Sequence, residues 1–271
     1  MKERRPVKVQ RCSMGMLDEP CAPTSHVLVS GTSAGLGQSY SACECGRRYP
    51  LQISRSILSR LLYRYVKLCQ NNHGSNFDQD IREAISPRTP AIACELSCLG
   101  VVPVGTPVLH KPTRYVECGS GLMVELGNYM LRVMAQAQGI GLAANQIGLP
   151  IRVLCHDMHS VVTDVLINPL ILQRSGLVTL SEGCLSLRID GAYAATPRSR
   201  RVVVAACAPT GEEVIISAGG RLARILQHEI DHLDGIEYVQ RLRGADKLRV
   251  YDLMRERKVD IDLMPPLFDH K

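Results

Sequence analysis

The sequence predicts an α+β fold, in which antiparallel or mixed sheets of short strands pack around a central helix. Short β-rich runs follow one another across residues 151–217, separated by turn residues, with no helix alternating between them. This order argues against a doubly wound parallel sheet. A strongly amphipathic helix follows at residues 221–233, where apolar side chains recur at helical spacing. A hydrophobic content of 45% over 271 residues is sufficient for a substantial core.

Charge, cysteine usage and hydropathy narrow the class of protein. Residues 1–99 contain 13 basic and 8 acidic side chains, whereas residues 100–271 contain 19 and 18. Because the second part is almost neutral, no nucleic-acid partner is predicted for it. The eleven cysteines are odd in number and irregularly spaced, which favours reduced thiols over a disulfide scaffold. No run of 18 apolar residues occurs, so no membrane span is predicted.

The composition changes near residue 95, which predicts two regions. Residues 1–46 are rich in Ser, Gly, Cys and Pro and show no clear periodicity. An N-terminal extension over residues 1–95 is therefore expected to be largely disordered. Residues 96–271 are expected to form a compact catalytic domain that ends in a charged C-terminal tail.

Within the extension, residues 53–68 read ISRSILSRLLYRYVKL. The apolar side chains of this stretch fall on one helical face and the basic ones on the others, and no acidic residue occurs between Glu44 and Asp78. An Arg-rich, Ser-containing, amphipathic and acid-poor segment is typical of an organellar transit peptide. The segment therefore predicts a mitochondrion or another organelle as the location, and the alternative is an ordinary amphipathic helix of the fold.

The elements of the compact domain follow in order along the chain. An extended segment at residues 101–112 leads to a helix at residues 120–138, which has one apolar stripe and ends at Gly139. A last helix is predicted at residues 245–257. The predicted strands are Ile151–Cys155, Val165–Leu172, Arg201–Cys207 and Glu213–Ser217.

The helix at residues 221–233 carries the pattern LQHEIDHLDG. Residues four apart on a helix lie one turn apart on the same face, so His228 and His232 can bind one metal ion. Glu229, beside the first imidazole, can reach a water molecule on that ion. The alternative is an ordinary helix in which two histidines fall at this spacing by chance.

A candidate for the third metal ligand is Cys184 in the stretch LSEGCLSL, which follows a strand-like run. A thiolate with two imidazoles suits zinc or ferrous iron and leaves the fourth position open for water. The alternative for Cys184 is a small buried residue at the end of a strand.

A Gly-rich turn with the sequence GIGLAANQIG lies between the first helix and the first strand. It lacks the features of a phosphate-binding loop. It is suited to present backbone groups and the amide of Gln146 to a cleft, and the alternative is a plain turn with a surface Gln.

In this order and spacing, the segments GIGLAANQ, EGCLS and QHEIDH resemble the peptide deformylase family, over about residues 100–245. Two departures from the family pattern stand out. Asn145 occupies a position where the family usually has Pro, and the loop at residues 187–198 is longer, so that Pro197 and Arg198 come late. The second departure puts the substrate preference in doubt more than the metal site.

The resemblance implies a role for each matched residue. Cys184, His228 and His232 would bind one divalent metal ion, usually Fe2+, with Zn2+, Ni2+ or Co2+ able to replace it. Glu229 would be the general base and then the general acid. The remaining implied residues are the oxyanion donors Gln146 and the backbone N–H of Leu185, and the substrate-binding residues Gly139, Ile140 and Gly141.

The activity that the resemblance implies is hydrolysis of the formyl group from the N-formyl-methionine of nascent polypeptides, with release of formate. Two alternatives are a catalytically inactive metal-binding homologue and an HExxH metallopeptidase. Among the other polar residues, Asp231 is expected to form a structural ion pair. His110 and the stretch CHDMH at residues 155–159 are expected at the surface, and Arg188 either contacts the cleft rim or is solvated.

Overall fold

The structure, a computed structural model, describes residues 25–30, 39–42, 100–158, 163–262 and 264. The helices are α1 (Gly121–Gln136), α2 (Gly220–Leu233) and α3 (Gly244–Glu256), with short 3-10 helices at Pro107–His110, Ala144–Ile147 and Tyr238–Arg241. The strands are β1 (Ser25–Ser30), β2 (Ser39–Ala42), β3 (Gly141–Ala143), β4 (Val153–His156), β5 (Val165–Ser175), β6 (Val178–Glu182), β7 (Ala194–Arg198), β8 (Arg201–Cys207) and β9 (Glu213–Gly219).

The strands form two antiparallel sheets, and the predicted α+β class is confirmed. The larger sheet has the order β2-β1-β9-β8-β5-β4-β3, and β6 pairs with β7 in a separate hairpin. Strands β8 and β9 pair along their full length, from Arg201 opposite Gly219 to Cys207 opposite Glu213. Neighbours such as β8 and β9 are consecutive in sequence, whereas the β1–β9 and β5–β8 pairs join strands that are distant along the chain.

The two longest helices cover opposite faces of the β4–β5 pair. Alternate residues of a strand point to opposite faces of a sheet. Val153 and Ile167 accordingly pack in one apolar cluster with α1, while Leu154 and Leu166 pack in a second cluster with α2. The sheet edge that carries β3 is thereby held between the two helices.

Helix α1 begins with a side-chain cap. The hydroxyl of Ser120 accepts a hydrogen bond from the backbone N–H of Met123 at 3.3 Å, which satisfies one of the unpaired donors of the first turn. The helix ends at Gln136, and Gln138 adopts a positive φ of 56° just after it. The prediction of a helix at residues 120–138 therefore differs from the structure only at its ends.

Helix α2 follows β9 without a connecting loop. Gly220 has φ +56°, in the left-handed region that glycine adopts readily, so the chain turns from strand to helix within one residue. The apolar side chains of α2 face the sheet at Leu222, Leu226, Ile230 and Leu233. This is the apolar stripe that the sequence predicts. It places His228 and His232 near the edge of the sheet that carries β3.

The β6–β7 hairpin was not predicted from the sequence. Strand β6 has three consecutive exposed residues, including Leu180, which is 55% exposed, so it lacks the apolar alternation of a half-buried strand. Arg224 of α2 donates hydrogen bonds to the carbonyl oxygens of Val178, Leu180 and Thr196 in this hairpin. These contacts hold the hairpin, and the loop that follows β6, against α2.

Two short stretches of the N-terminal extension extend the large sheet. Strand β1 pairs with β9 and with β2, in both cases antiparallel. The expectation of a largely disordered extension did not include these strands. The amphipathic segment at residues 53–68 lies outside the described residues, and the boundary near residue 95 stays a prediction.

Three smaller expectations concern surface residues and the membrane. His110 was predicted at the surface but is only 9% exposed, and Cys155 and His156 are fully buried in β4 rather than lying in a surface loop. Both predictions were wrong because composition gives no information on which segments tertiary packing encloses: His110 ends a 3-10 helix, whereas Cys155 and His156 lie in a strand inside the sheet. None of the described helices has the length and apolar character that crossing a membrane requires.

Candidate metal centre

Helix α2 places two imidazole rings one turn apart at the edge of a cleft. The ring centroids of His228 and His232 are 4.9 Å apart and the rings are nearly perpendicular. The loop after β6 brings Cys184 to the same point, with its Sγ atom 3.1 Å from Nε2 of His232. The ligand atoms of the three residues all lie within 4.8 Å of one another, as expected for ligands of one ion.

The chemistry of these donors fits a divalent transition metal. One thiol and two imidazoles form the only group of three or more metal-binding side chains within the described part of the chain. Such a set suits zinc or ferrous iron and leaves a coordination position open. Burial raises the pKa of the Cys184 thiol, and a bound cation would reverse this by favouring the thiolate.

Each imidazole also has a carboxylate on its far side. The Nδ1 atom of His228 lies 3.2 Å from Oε2 of Glu182, and Nδ1 of His232 lies 3.7 Å from Oε2 of Glu237. A proton held on Nδ1 leaves the Nε2 lone pair for the metal. Burial raises the pKa of Glu237 to about 8, and a divalent cation bound to the ring would favour its ionised form.

A buried ion-pair network supports this arrangement. Arg198, displaced along the chain by the longer loop, donates to Glu182 at 3.0 Å and also to Asp231. Asp231 in turn accepts two hydrogen bonds from Arg241, at 2.6 and 2.5 Å. The prediction that Asp231 forms a structural ion pair is confirmed. The network joins the β6–β7 hairpin to α2 and so fixes Cys184 relative to the histidines.

The network makes stability depend on pH. Burial alone would raise the pKa of Glu182, but its hydrogen bond to His228 and the charge of Arg198 outweigh burial and lower it to about 2. Because the folded-state pKa is depressed, this stabilisation is present above the unfolded-state value near 4.5 and is lost as the pH falls toward 2. We expect about 3 kcal/mol of acid-sensitive stability from this group.

Urea unfolding of the wild type and of Glu182→Gln between pH 6 and pH 2 measures this contribution. The wild type should lose more stability on acidification than the variant. Parallel pH curves for the two proteins would contradict the assignment.

Glu229 lies beside the ligand set without belonging to it. Its side chain is 4% exposed, and burial raises its pKa to about 7. Its Oε2 atom has no hydrogen-bond partner among the described residues. A carboxylate with a pKa near neutrality and an unused oxygen is suited to accept and return a proton.

Gln146 reaches the site from the turn after β3. Its carbonyl oxygen accepts from the backbone N–H of Ala143 at 2.8 Å. Its amide nitrogen lies 3.5 Å from Sγ of Cys184 and 3.3 Å from Oγ of Ser186. The side chain is only 1% exposed, so the amide is buried next to the thiol.

Asn145, in place of the expected Pro, makes a contact that Pro could not make. Its side-chain amide donates to the backbone carbonyl of His232 at 2.5 Å. The C-terminal end of the same helix also receives a hydrogen bond from Thr113, whose hydroxyl donates to the carbonyl of Leu233 at 2.9 Å. The departure therefore anchors the end of the helix that carries His232, a candidate metal ligand.

A cleft of about 630 Å³ is lined by two of the three candidate ligands, Cys184 and His228, and by Glu229. Gly139, Ile140, Gly141 and Leu185 all line it, so the residues predicted to bind substrate and the predicted backbone donor lie at one cleft. The guanidinium of Arg188 donates to the carbonyl of Ala137 at the rim of the cleft. This contact supports the prediction that Arg188 contacts the rim over the alternative that it is solvated. The lining of the cleft is completed by Gln138, Ser181–Cys184, Leu187, Ile189–Gly191, Tyr193, Arg221, Arg224, Ile225, His228 and Glu229.

The sequence analysis missed the two carboxylates behind the imidazoles. Glu182 could have been found, because it lies within the EGCLS motif two residues before the thiol ligand. Glu237 follows α2 in a stretch with no motif, so nothing in the sequence signalled its position.

The chain is similar in sequence to known proteins. Residues 98–248 match the family model described as polypeptide deformylase. The chain is 42% identical to peptide deformylase 2 of Streptomyces avermitilis over 153 residues, covering 54% of this chain and 81% of that protein. It is 38% identical over 164 residues to peptide deformylase 1A, chloroplastic/mitochondrial, of Arabidopsis thaliana, covering 52% of this chain and 60% of that protein.

Solved structures show the same similarity in three dimensions. The peptide deformylase of Thermus thermophilus superposes with a TM-score of 0.54 at 39% identity, over 58% of this chain and 93% of that chain. The peptide deformylase of Synechococcus elongatus, solved in complex with actinonin, gives a TM-score of 0.55 at 31% identity, over 62% and 91%. The similarity covers nearly the whole of both bacterial chains.

Proposed function

Since this chain belongs to the peptide deformylase family, we propose a role in its reaction for each side chain of the cleft. The activity is metal-dependent hydrolysis of the N-formyl group of peptides, and the proposed substrate is the N-formyl-methionine end of nascent polypeptides. The observation that carries the assignment is the convergence of Cys184, His228 and His232, with Glu229 beside them.

Cys184, His228 and His232 would bind the metal ion. When bound, a divalent ion supplies Lewis-acid activation of water and of the formyl oxygen. Glu229 would accept the proton of the attacking water on its carboxylate and deliver it to the departing amine nitrogen. Its burial keeps bulk water from competing for that proton.

Two hydrogen-bond donors would stabilise the negative charge that develops on the formyl oxygen. These are the side-chain amide of Gln146 and the backbone N–H of Leu185. A donor of this kind typically contributes about 10²- to 10³-fold in rate. Ser186 and Cys184 hold the Gln146 amide at the ligand set, which supports its proposed role.

Formate release from formyl-Met-Ala, measured anaerobically on the full-length protein, tests the proposal. We expect turnover by the wild type in the presence of a divalent metal ion. A protein that binds the ion but releases no formate would support the inactive homologue instead. The metallopeptidase alternative has no support in the geometry, because the third ligand is Cys184 from the hairpin and not a residue that follows α2.

We propose Fe2+ as the bound metal, with Zn2+, Ni2+ or Co2+ as replacements. The mixed thiol and imidazole donor set supports this choice, since such ligands suit ferrous iron as well as zinc. Metal analysis of protein purified anaerobically from its native cells tests it, and a preparation that contains zinc without iron would reject Fe2+.

We propose an organelle, such as the mitochondrion, as the location. The acid-poor amphipathic stretch at residues 53–68 supports this, as does similarity to the chloroplastic/mitochondrial enzyme of Arabidopsis, although bacterial relatives are similar to the same degree. A fluorescent protein fused after residue 95 should enter the organelle. A fusion with Arg55, Arg60 and Arg64 changed to Glu should not.

Gly141 is a sensitive position of the cleft. A Cβ atom there would lie 2.9 Å from Cδ of Glu229 and 2.9 Å from Cγ2 of Ile225, closer than real contacts allow. Gly141→Ala should therefore displace the proposed proton carrier and lower kcat for formate release by about 10- to 100-fold, because small displacements of reacting groups have effects of this size.

The matched control for this prediction is Gly148→Ala. Gly148 follows the same turn, and a Cβ atom there meets nothing within 4 Å, although its positive φ of 86° will cost some stability. Equal kcat values for Gly141→Ala and the wild type would show that Glu229 does not depend on this close approach.

A further inference from the structure

Two buried polar groups without hydrogen-bond partners face each other behind one metal ligand. The Nδ1 atom of His232 and both carboxylate oxygens of Glu237 have no such partner among the described residues. Both side chains are 1% exposed, so bulk water does not reach them. The shortest distance between them is 3.7 Å, which is about 0.8 Å longer than a typical N–H···O hydrogen bond.

The imidazole of His228, in contrast, has a partner at its Nδ1 atom. Nδ1 of His228 already lies at 3.2 Å from Glu182. Buried polar groups are nearly always hydrogen-bonded, and leaving one without a partner costs roughly 1–3 kcal/mol. The gap between His232 and Glu237 is therefore an unfavourable arrangement that a small movement of either side chain would relieve.

We propose that Glu237 is a positioning residue for the metal centre, which accepts a hydrogen bond from Nδ1 of His232 when Nε2 binds the ion. The inference rests on the proposed function, because it assumes that Cys184, His228 and His232 bind a divalent metal ion. With this bond, both imidazole ligands have a carboxylate partner, Glu182 for His228 and Glu237 for His232.

The hydrogen bond would act on the metal in two ways. It would hold the proton of His232 on Nδ1, so that the Nε2 lone pair is directed at the ion. It would also increase the electron donation of the ring and partly balance the positive charge of the ion. Removal of such a partner typically weakens metal binding by about 10- to 100-fold.

A purely structural role for Glu237 is the alternative. Glu237 precedes the 3-10 helix Tyr238–Arg241, and its backbone N–H donates to the side chain of Gln240 at 2.5 Å. That contact uses the backbone of Glu237 and not its carboxylate, so it survives replacement of the side chain. Substitutions at Glu237 therefore separate the two roles.

The experiment titrates full-length, metal-depleted protein with Co2+ in competition with a chelator. We expect Glu237→Leu, which removes the acceptor, to weaken Co2+ binding by about 10- to 100-fold. Glu237→Gln, which keeps an oxygen acceptor, should recover part of this loss. The matched control is Thr113→Val, which removes a buried hydrogen bond to the same end of α2, at Leu233, and should leave Co2+ affinity unchanged.

The absorption spectrum of the bound Co2+ provides a second measurement. Loss of the hydrogen bond should change the ligand-field bands in Glu237→Leu and not in Thr113→Val, because only the first alters a coordinating ring. Wild-type affinity and spectrum in Glu237→Leu would overturn the inference. Should that variant not fold, Glu237→Met, which also removes the acceptor and is close to Glu in length, would overturn it equally by showing unchanged affinity and spectrum. Tight Co2+ binding by a wild type that releases no formate would reject the proposed function and leave this inference standing.

Discussion

Glu229→Gln is expected to lower kcat for formate release by roughly 10²- to 10⁴-fold, the usual contribution of a positioned general acid–base group. Gln has nearly the same size but can neither accept nor return the proton. Glu229 is not one of the three ligands, so the ion should stay bound and KM should change little. The measurement is kcat and KM for formyl-Met-Ala, with metal content determined on the same samples.

The burial of Glu229 makes this prediction specific. Burial raises the pKa of Glu229 to about 7, because a buried carboxylate is costly to keep ionised. The substitution by Gln removes this cost. The variant should therefore be at least as stable as the wild type toward heat. An inactive variant with a lower melting temperature and less metal would attribute the effect to damage of the site. Wild-type kcat in a metal-loaded variant would exclude Glu229 as the proton carrier.

The ligand set could be predicted from sequence because each part of it follows from local geometry or from a motif. The spacing of His228 and His232 defines one face of a helix, and that helix was located to within one residue at its start. Cys184 was placed with them by the resemblance, not by any local signal. The structure shows why the resemblance was needed, since the thiol lies on a hairpin whose strands carry no buried-strand pattern.

The surroundings of the ligands could not be predicted, because they depend on how the folded chain turns and packs and not on a local sequence signal. Glu237 and His232 come together only because the chain reverses after α2. Asn145 was recognised only as a departure from the Pro that the family usually has, whereas the structure shows that its amide donates to the carbonyl of His232. In both cases the partner is chosen by the tertiary fold, and side-chain type alone gives no information about it.

Cys184→Ala should remove the metal ion and with it the activity. The two remaining imidazoles form an incomplete site, and because the loss of an outer partner alone costs about 10- to 100-fold in metal affinity, the loss of a direct ligand should cost more than about 100-fold. Elemental analysis after dialysis measures this. The rise in melting temperature that a bound ion causes in the wild type should also disappear, since that rise requires binding to the folded state.

Cys118→Ser is the matched control, because it removes a partly buried thiol that lies outside the ligand set. It should retain the metal content, the metal-dependent rise in melting temperature and the formate release of the wild type. The fold itself brings the sulfur of Cys184 to 3.1 Å from Nε2 of His232. If Cys184→Ala kept the ion as tightly as Cys118→Ser, the thiol would be a neighbour of the site and not a ligand, and the hydrolytic assignment built on three ligands would have to be abandoned.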